Sequence, residues 1–213
     1  MLDPFMNRIL KPPLNFSAKM LARLNILPDQ VTVIGFAVGC IGFFMIWAHW
    51  YKIALLCISI NRILDGVDGA LARQTKKTDA GGFLDICLDF IFYSLTVAGF
   101  AFADPDANAL PAVVLILCFV GTGTSFLAFA AMAEKRGIKS IAYPHKSMVY
   151  MGGLTEGTET IIFMVLFCIF PNHFPLLAGI FSVLCAVTIV MRIIGGYTTL
   201  KTRTSQADHP PKE

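Results

Sequence analysis

Apolar residues run through this chain in long blocks, without the alternation of a half-buried strand or the narrow stripe of a surface helix. A helix crosses a hydrocarbon core of roughly 30 Å in about 20 residues. Six blocks approach that length: Val31 to Trp50, Ile53 to Arg73, Gly82 to Ala103, Leu110 to Ala133, Leu154 to Phe170 and Phe174 to Thr199. They predict an all-α, polytopic membrane protein with six transmembrane helices. No repeat, low-complexity stretch or water-soluble domain interrupts them, so residues 1–213 read as a single membrane domain with a cytoplasmic tail at 200–213. Residues 1–27 read as a retained juxtamembrane segment, because they lack the apolar core and small-residue cleavage site of a signal peptide. Arg8, Lys11, Lys19 and Arg23 interleave there with Leu14, Met20, Leu21 and Leu24, which suits an interfacial helix. Pro12 and Pro13 leave an irregular tail as the alternative for its first half.

Lys and Arg positions orient the spans, since positive residues are retained on the cytoplasmic side. The amino-terminal segment carries four of them; Lys76 and Lys77 follow span two; Lys135, Arg136, Lys139 and Lys146 follow span four; Lys201, Arg203 and Lys212 follow span six. The opposite connections contain only Lys52. Both termini are therefore expected in the cytoplasm.

Composition agrees with this reading: 56% of residues are hydrophobic and the mean hydropathy is +0.68. The net charge of +3 is a topology signal and a modest attraction to anionic membrane lipids. With no interleaving of basic and aromatic residues, it does not point to nucleic acid. All six cysteines lie within apolar blocks and lack CxxC spacing, so they read as small buried hydrophobes.

One stretch resists the apolar pattern. From Leu64 to Phe90 the chain places Asp65, Asp68, Asp85 and Asp89 inside or beside two spans. An aspartate at the centre of a membrane helix costs roughly 2.5 to 3.5 kcal/mol on insertion scales, so a counter-charge is required. Asp65 and Asp68 share a helix face by i,i+3 spacing, and Asp85 and Asp89 by i,i+4. A short basic loop makes the two helices antiparallel neighbours, and the four carboxylates are expected to converge near their cytoplasmic ends. An all-oxygen set favours one or two hard divalent cations, Mg²⁺ or Mn²⁺. Only about 18 Å of helix separates Ile53 from Leu64, which puts Asp65 below the headgroups in a water-accessible cavity suited to a diphosphate bearing a lipid tail. Gly66, Gly69 and Ala72 remove bulk beside the acids, so another helix or a ligand comes close. Arg73 could grip a phosphate through its planar fork or mark the membrane boundary.

Asp65, Asp68, Gly69, Ala72 and Arg73, followed by Gly81, Asp85 and Asp89, resemble the signature of the CDP-alcohol phosphotransferases (phosphatidyltransferases) at eight linked positions. The loop departs from that pattern. Seven residues, Gln74 to Ala80, stand where the family commonly has eight, and Gly81 keeps the spacing to both later aspartates. The resemblance implies transfer of a phosphatidyl or related group from CDP-diacylglycerol, or another CDP-linked donor, to an alcohol acceptor, with release of CMP. It further implies Asp65, Asp68 and Asp85 as ligands of two metal ions, Asp89 beside them as general base, and Gly69, Ala72 and Arg73 as contacts to the CDP moiety. Asp29 and Thr32, in "PDQVT", look like a further nucleotide-contacting pair, although Asp29 also suits a helix cap. The resemblance also suggests a homodimer, while the chain's size and simplicity suggest a bacterial inner membrane and the basic loops put the site's opening on the cytoplasmic side.

Acceptor choice rests on less. Glu156 and Glu159 could receive hydrogen bonds from a polyol or pair with an amino alcohol, whereas Lys146 and Arg192 could hold the phosphate of a phosphorylated polyol. Arg62, one turn before Asp65, could neutralise a carboxylate or bind substrate phosphate. A glycerol-type polyol, free or phosphorylated, is the first expectation. Transfer from a soluble CDP-alcohol to a lipid alcohol remains open, as do a divalent cation transporter and a catalytically idle scaffold.

Overall fold

The computed structural model describes residues 3–137 and 153–207; for residues 3–10 and 202–207 it describes the backbone alone. Seven α-helices and one 3-10 turn form these segments, with no strand among the described residues. Helix α1 spans Asp3–Arg23, α2 Pro28–Trp47, α3 Tyr51–Gln74, α4 Asp79–Ala103, α5 Pro105–Lys135, α6 Gly157–Ile169 and α7 Phe174–Ala207. Four of them, α2, α4, α5 and the apolar stretch Pro171–Lys201 containing most of α7, are long and apolar enough to cross a membrane. Helix α3 matches the second expected span in extent but carries Lys52, Arg62, Asp65, Asp68 and Arg73. Helix α6 has only 13 residues.

Local chemistry sets the ends. Pro28 opens α2 in the first turn, where its missing N–H costs nothing, and the Leu27 N–H donates to Gln30 Oε1 at 3.0 Å. His49, with φ of 61°, lies in the left-handed region and reverses the chain into α3. Thr78 Oγ1 caps α4 by accepting from the Gly81 N–H at 3.0 Å. Asp104 caps α5 by accepting from the Ala107 N–H at 3.2 Å, and Pro105 follows at the first helical position. That cap starts α5 five residues before the expected Leu110. The amino-terminal segment is helical through Pro12 and Pro13, including the half for which an irregular tail was the alternative.

Glycines let α2 sit deep between its neighbours. A Cβ on Gly35 would lie 3.2 Å from Leu64 Cβ, and one on Gly42 3.2 Å from Cys57 Cβ, so α2 and α3 cross closely through small residues. Away from the aspartates the core is aromatic: Phe100 stacks on Phe174 at 4.6 Å and Phe163 on Phe181 at 4.3 Å. The acid-bearing ends of α3 and α4 lie outside that core, flanked by α1, α2 and the residues before α6. All six cysteines are free.

Candidate active site

Asp65 and Asp68 on α3 and Asp85 on α4 each present a carboxylate oxygen within 4.8 Å of the other two. Asp68 is buried, and its Oδ2 accepts a 2.6 Å hydrogen bond from Thr32 Oγ1 on α2. Oxygens on opposite sides of a Mg²⁺ ion stand about 4 Å apart, so three hard donors at this slightly wider spacing are near enough to close on one divalent cation. The crevice beside them, walled also by Gly35, Asn61 and Arg62, holds about 10 Å³, room for one ion or water.

Asp89 joins the expected convergence of four acids at this crevice but is held differently from the other three. Its Oδ1 accepts from Arg62 Nη2 at 2.7 Å and its Oδ2 from the Tyr93 hydroxyl at 3.2 Å. With both oxygens engaged by α3 and α4 side chains, it lines the same crevice but stands outside the group of three. Arg62 is the nearby positive charge that burial of these acids demands; its Nη1 also lies 3.6 Å from Asp65 Oδ2.

Two cavities meet at this cluster. The first, of about 300 Å³, runs between the start of α2 and the facing ends of α3 and α4. Asp29, Thr32, Gly69, Ala72 and Arg73 all line it, together with Lys76 and Lys77. At Gly69 a Cβ would meet nothing nearer than Arg73 Nη1 at 3.4 Å, so the helix surface there faces open space. Gly81 serves a close approach instead: a Cβ would fall 2.7 Å from Asp29 Oδ1. Gly82 has nothing within 4 Å, so of the adjacent glycines Gly81 is the one that contacts α2. Gly66 points away from the cavity, where a Cβ would meet Leu14 Cδ1 of α1 at 2.8 Å. Its missing side chain accommodates a helix, not a ligand.

The second cavity, of about 230 Å³, opens on the other side of Asp85 and Asp89 and is walled by Tyr93, Thr122, Glu156 and Arg192. Arg192 is buried; its Nη1 donates to Thr122 O at 3.1 Å and its guanidinium lies over the Phe126 ring. Thr155 donates from both its N–H and its hydroxyl to Thr188 Oγ1, tying the residues before α6 to α7. The glutamates divide. Glu156 faces the cavity and accepts from the Gly153 N–H at 3.3 Å, whereas Glu159 Oε2 accepts from the Glu156 N–H at 3.1 Å and closes the start of α6. Lys146 lies outside the described residues.

Sequence reasoning overlooked Tyr93, Thr122, Thr155 and Thr188. Tyr93 stands four residues after Asp89, a visible helical pairing. Thr122 belongs to "GTGTS", a small polar run inside an apolar block. The Thr155–Thr188 contact joins residues far apart in sequence and has no local signature.

A sequence model of the CDP-alcohol phosphatidyltransferase family matches residues 25–194. The chain is 50% identical over 206 residues to the inner membrane protein YnjF of Escherichia coli, covering 97% of this chain and 100% of that protein. It is 39% identical over 80 residues to the archaetidylinositol phosphate synthase of Pyrococcus horikoshii, 37% of this chain and 43% of that protein. Its fold is similar to that of the phosphatidylinositol phosphate synthase PgsA1 of Mycobacterium tuberculosis. The crystal structure of PgsA1 with CDP-DAG bound gives a TM-score of 0.70 at 19% identity, covering 87% of this chain and 94% of that one. PgsA1 with manganese and citrate also gives 0.70, at 20% identity and 87% and 89% coverage.

Proposed function

The chain belongs to the CDP-alcohol phosphatidyltransferase family, and from that premise we propose that it moves a phosphatidyl group from CDP-diacylglycerol to a polyol, releasing CMP. It is an integral membrane enzyme of phospholipid biosynthesis. The observation that carries the finer reading is the aspartate cluster standing as the shared wall of two cavities, one edged by cations and one lined by hydroxyls, a carboxylate and a buried arginine. We read the protein as crossing a bacterial inner membrane six times, with both cavities open to the cytoplasm. YnjF, so similar over its whole length, is described as an inner membrane protein.

In this reading the donor occupies the first cavity. Arg73, Lys76 and Lys77 balance the diphosphate charge there, and the bare helix surface at Gly69 and Ala72 admits the nucleotide. Asp29 accepts from the nucleoside, and Thr32 holds Asp68 in position at the inner end. Asp65, Asp68 and Asp85 would hold one or two divalent cations, Mg²⁺ or Mn²⁺. Such ions, when bound, neutralise the diphosphate and stabilise the departing CMP. PgsA1 has been crystallised with CDP-DAG and with manganese.

The acceptor occupies the second cavity, bringing a hydroxyl to Asp89. As that oxygen bonds to the phosphatidyl phosphorus and the bond to the CMP oxygen breaks in line, Asp89 takes the hydroxyl proton. Glu156 and the threonines orient the remaining hydroxyls, and Arg192 faces any phosphate on the acceptor. A glycerol-type polyol, free or phosphorylated, fits this lining. A phosphorylated inositol is the second reading, favoured by buried Arg192 and by the activities named for the Pyrococcus and Mycobacterium relatives.

Purified protein given CDP-diacylglycerol, Mn²⁺ or Mg²⁺ and single acceptors, with CMP and lipid product quantified beside Asp89→Asn, tests the assignment. Release of CMP with one acceptor, abolished in the variant, is the expected result. No release from folded, metal-bound protein with any acceptor would reject CDP-diacylglycerol as donor.

A further inference from the structure

Arg62 is held more elaborately than a lone charge pair requires. Its side chain is 9% exposed. The Nε donates to Asn61 Oδ1 at 2.7 Å, Nη1 to the Tyr93 hydroxyl at 3.0 Å and Nη2 to Asp89 Oδ1 at 2.7 Å. The guanidinium carbon lies 4.7 Å from the centroid of the Phe92 ring. Asn61 is fixed in turn by donating to Gly35 O of α2 at 2.8 Å. A Cβ on Gly39 would meet the Phe92 ring at 2.5 Å and Asn61 Nδ2 at 3.2 Å, so a bare position on α2 makes room for this support. Three helices therefore fix one guanidinium, and that guanidinium together with Tyr93 occupies both oxygens of Asp89.

We propose that Arg62 is a positioning residue that keeps Asp89 out of the metal ligand set and reserves it for the acceptor, while its charge weakens the cluster's hold on a divalent cation. The first half rests on the proposed function; the second rests on the cluster alone. Removing the guanidinium frees a fourth carboxylate to turn toward the ion and deletes a positive charge that sits 3.6 Å from one of its ligands. Both changes tighten cation binding, and the first removes the base from its task. Metal affinity and turnover then move in opposite directions, which loss of a merely structural ion pair would not produce.

The test uses full-length protein in detergent micelles and Mn²⁺ itself as probe, with free ion counted by electron paramagnetic resonance and CMP release measured in parallel. Arg62→Met is expected to bind Mn²⁺ at least about tenfold tighter and to lose about 100-fold in kcat, with donor KM changed less than about threefold. Arg62→Lys retains the charge but cannot reach Asn61, Tyr93 and Asp89 together. It should bind Mn²⁺ more tightly than wild type through the freed carboxylate, but less tightly than Arg62→Met, while kcat falls. Unchanged or weaker Mn²⁺ binding by Arg62→Met, or wild-type kcat in Arg62→Lys, would overturn the proposal. If Arg62→Met does not fold, the lysine variant decides. Absence of CMP release from the wild-type protein would reject CDP-diacylglycerol as its donor, and the Mn²⁺ comparison would still decide the effect of the charge.

Discussion

Thr32 Oγ1 on α2 donates a 2.6 Å hydrogen bond to Asp68 Oδ2 on α3, so the start of the first apolar span sets the orientation of an acid in the second. The same hydroxyl lies 3.1 Å from Pro28 O in its own helix. It thereby anchors the carboxylate to a turn that also lines the basic cavity.

Replacing Thr32 by Val keeps the shape and removes the anchor. Fixing a side chain costs about 0.5 to 1.5 kcal/mol, so Thr32→Val should weaken Mn²⁺ binding roughly two- to tenfold. Titration of the purified variant followed by free-ion resonance measures this. Unaltered affinity would mean that helix packing alone orients Asp68.

Gly81 and Asp29 form a second contact between helices. A methyl at Gly81 would fall 2.7 Å from Asp29 Oδ1 and drive that carboxylate from its place in the cavity wall. Overpacking of this kind costs about 1 to 3 kcal/mol, and Gly81→Ala is expected to weaken CMP binding roughly tenfold. In an Asp29→Ala background the same substitution should cost less, because the closer clash is gone and only the contact with Thr78 Oγ1 at 3.0 Å remains. Calorimetric titration of CMP into the four proteins gives the coupling, and additive losses would count against the contact.

Gly66 offers a change of sign. Alanine is favoured over glycine within a helix by about 0.5 to 1 kcal/mol, yet a Cβ here would sit 2.8 Å from Leu14 Cδ1. Leu14 is half-buried and packs against the cluster of Ala18, Val31, Val67, Ala70 and Leu71, so turning its Cδ1 aside loosens α1 against α3. Gly66→Ala should therefore lower the melting temperature and expose α1 to protease, whereas in a Leu14→Ala background it should raise the melting temperature. A loss in both backgrounds would place the demand for glycine elsewhere.

These contacts show which part of the molecule hydropathy and spacing can reveal. The apolar blocks located α2, α4, α5 and α7, and the i,i+3 spacing together with the short loop between α3 and α4 was enough to bring Asp65, Asp68 and Asp85 together. Helix starts were read late where a polar cap precedes the apolar run: Asp104 and Pro105 begin α5, and polar Asn108 folds into it by donating to Phe100 O at 2.9 Å. Spacing alone does not separate Asp89 from the other acids, and only the family resemblance set it apart as a base, because its distinction lies in Arg62 and Tyr93, whose reach depends on how α3 and α4 are rotated against each other. The second cavity was the least legible. Arg192 meets Thr122, and Thr155 meets Thr188, only after α5, α6 and α7 have packed.

The two glutamates before and within α6 give the remaining prediction. They were grouped by spacing, but Glu159 receives the Glu156 N–H at the helix start while Glu156 turns into the cavity beside Arg192. A glutamine at 159 still presents an oxygen to that N–H, so Glu159→Gln should leave acceptor preference unchanged and cost less than about 1 kcal/mol in stability. A glutamine at 156 removes a negative charge from a cavity that also holds a buried cation. If the acceptor carries phosphate, Glu156→Gln should lower its KM by a few-fold by relieving charge repulsion, and should raise KM for an uncharged polyol that donates hydroxyls to the carboxylate. Kinetics with glycerol, glycerol phosphate, inositol and inositol phosphate separate these outcomes. Equal effects on all four acceptors would assign Glu156 to folding and leave Arg192 as the described cation on which discrimination among them depends.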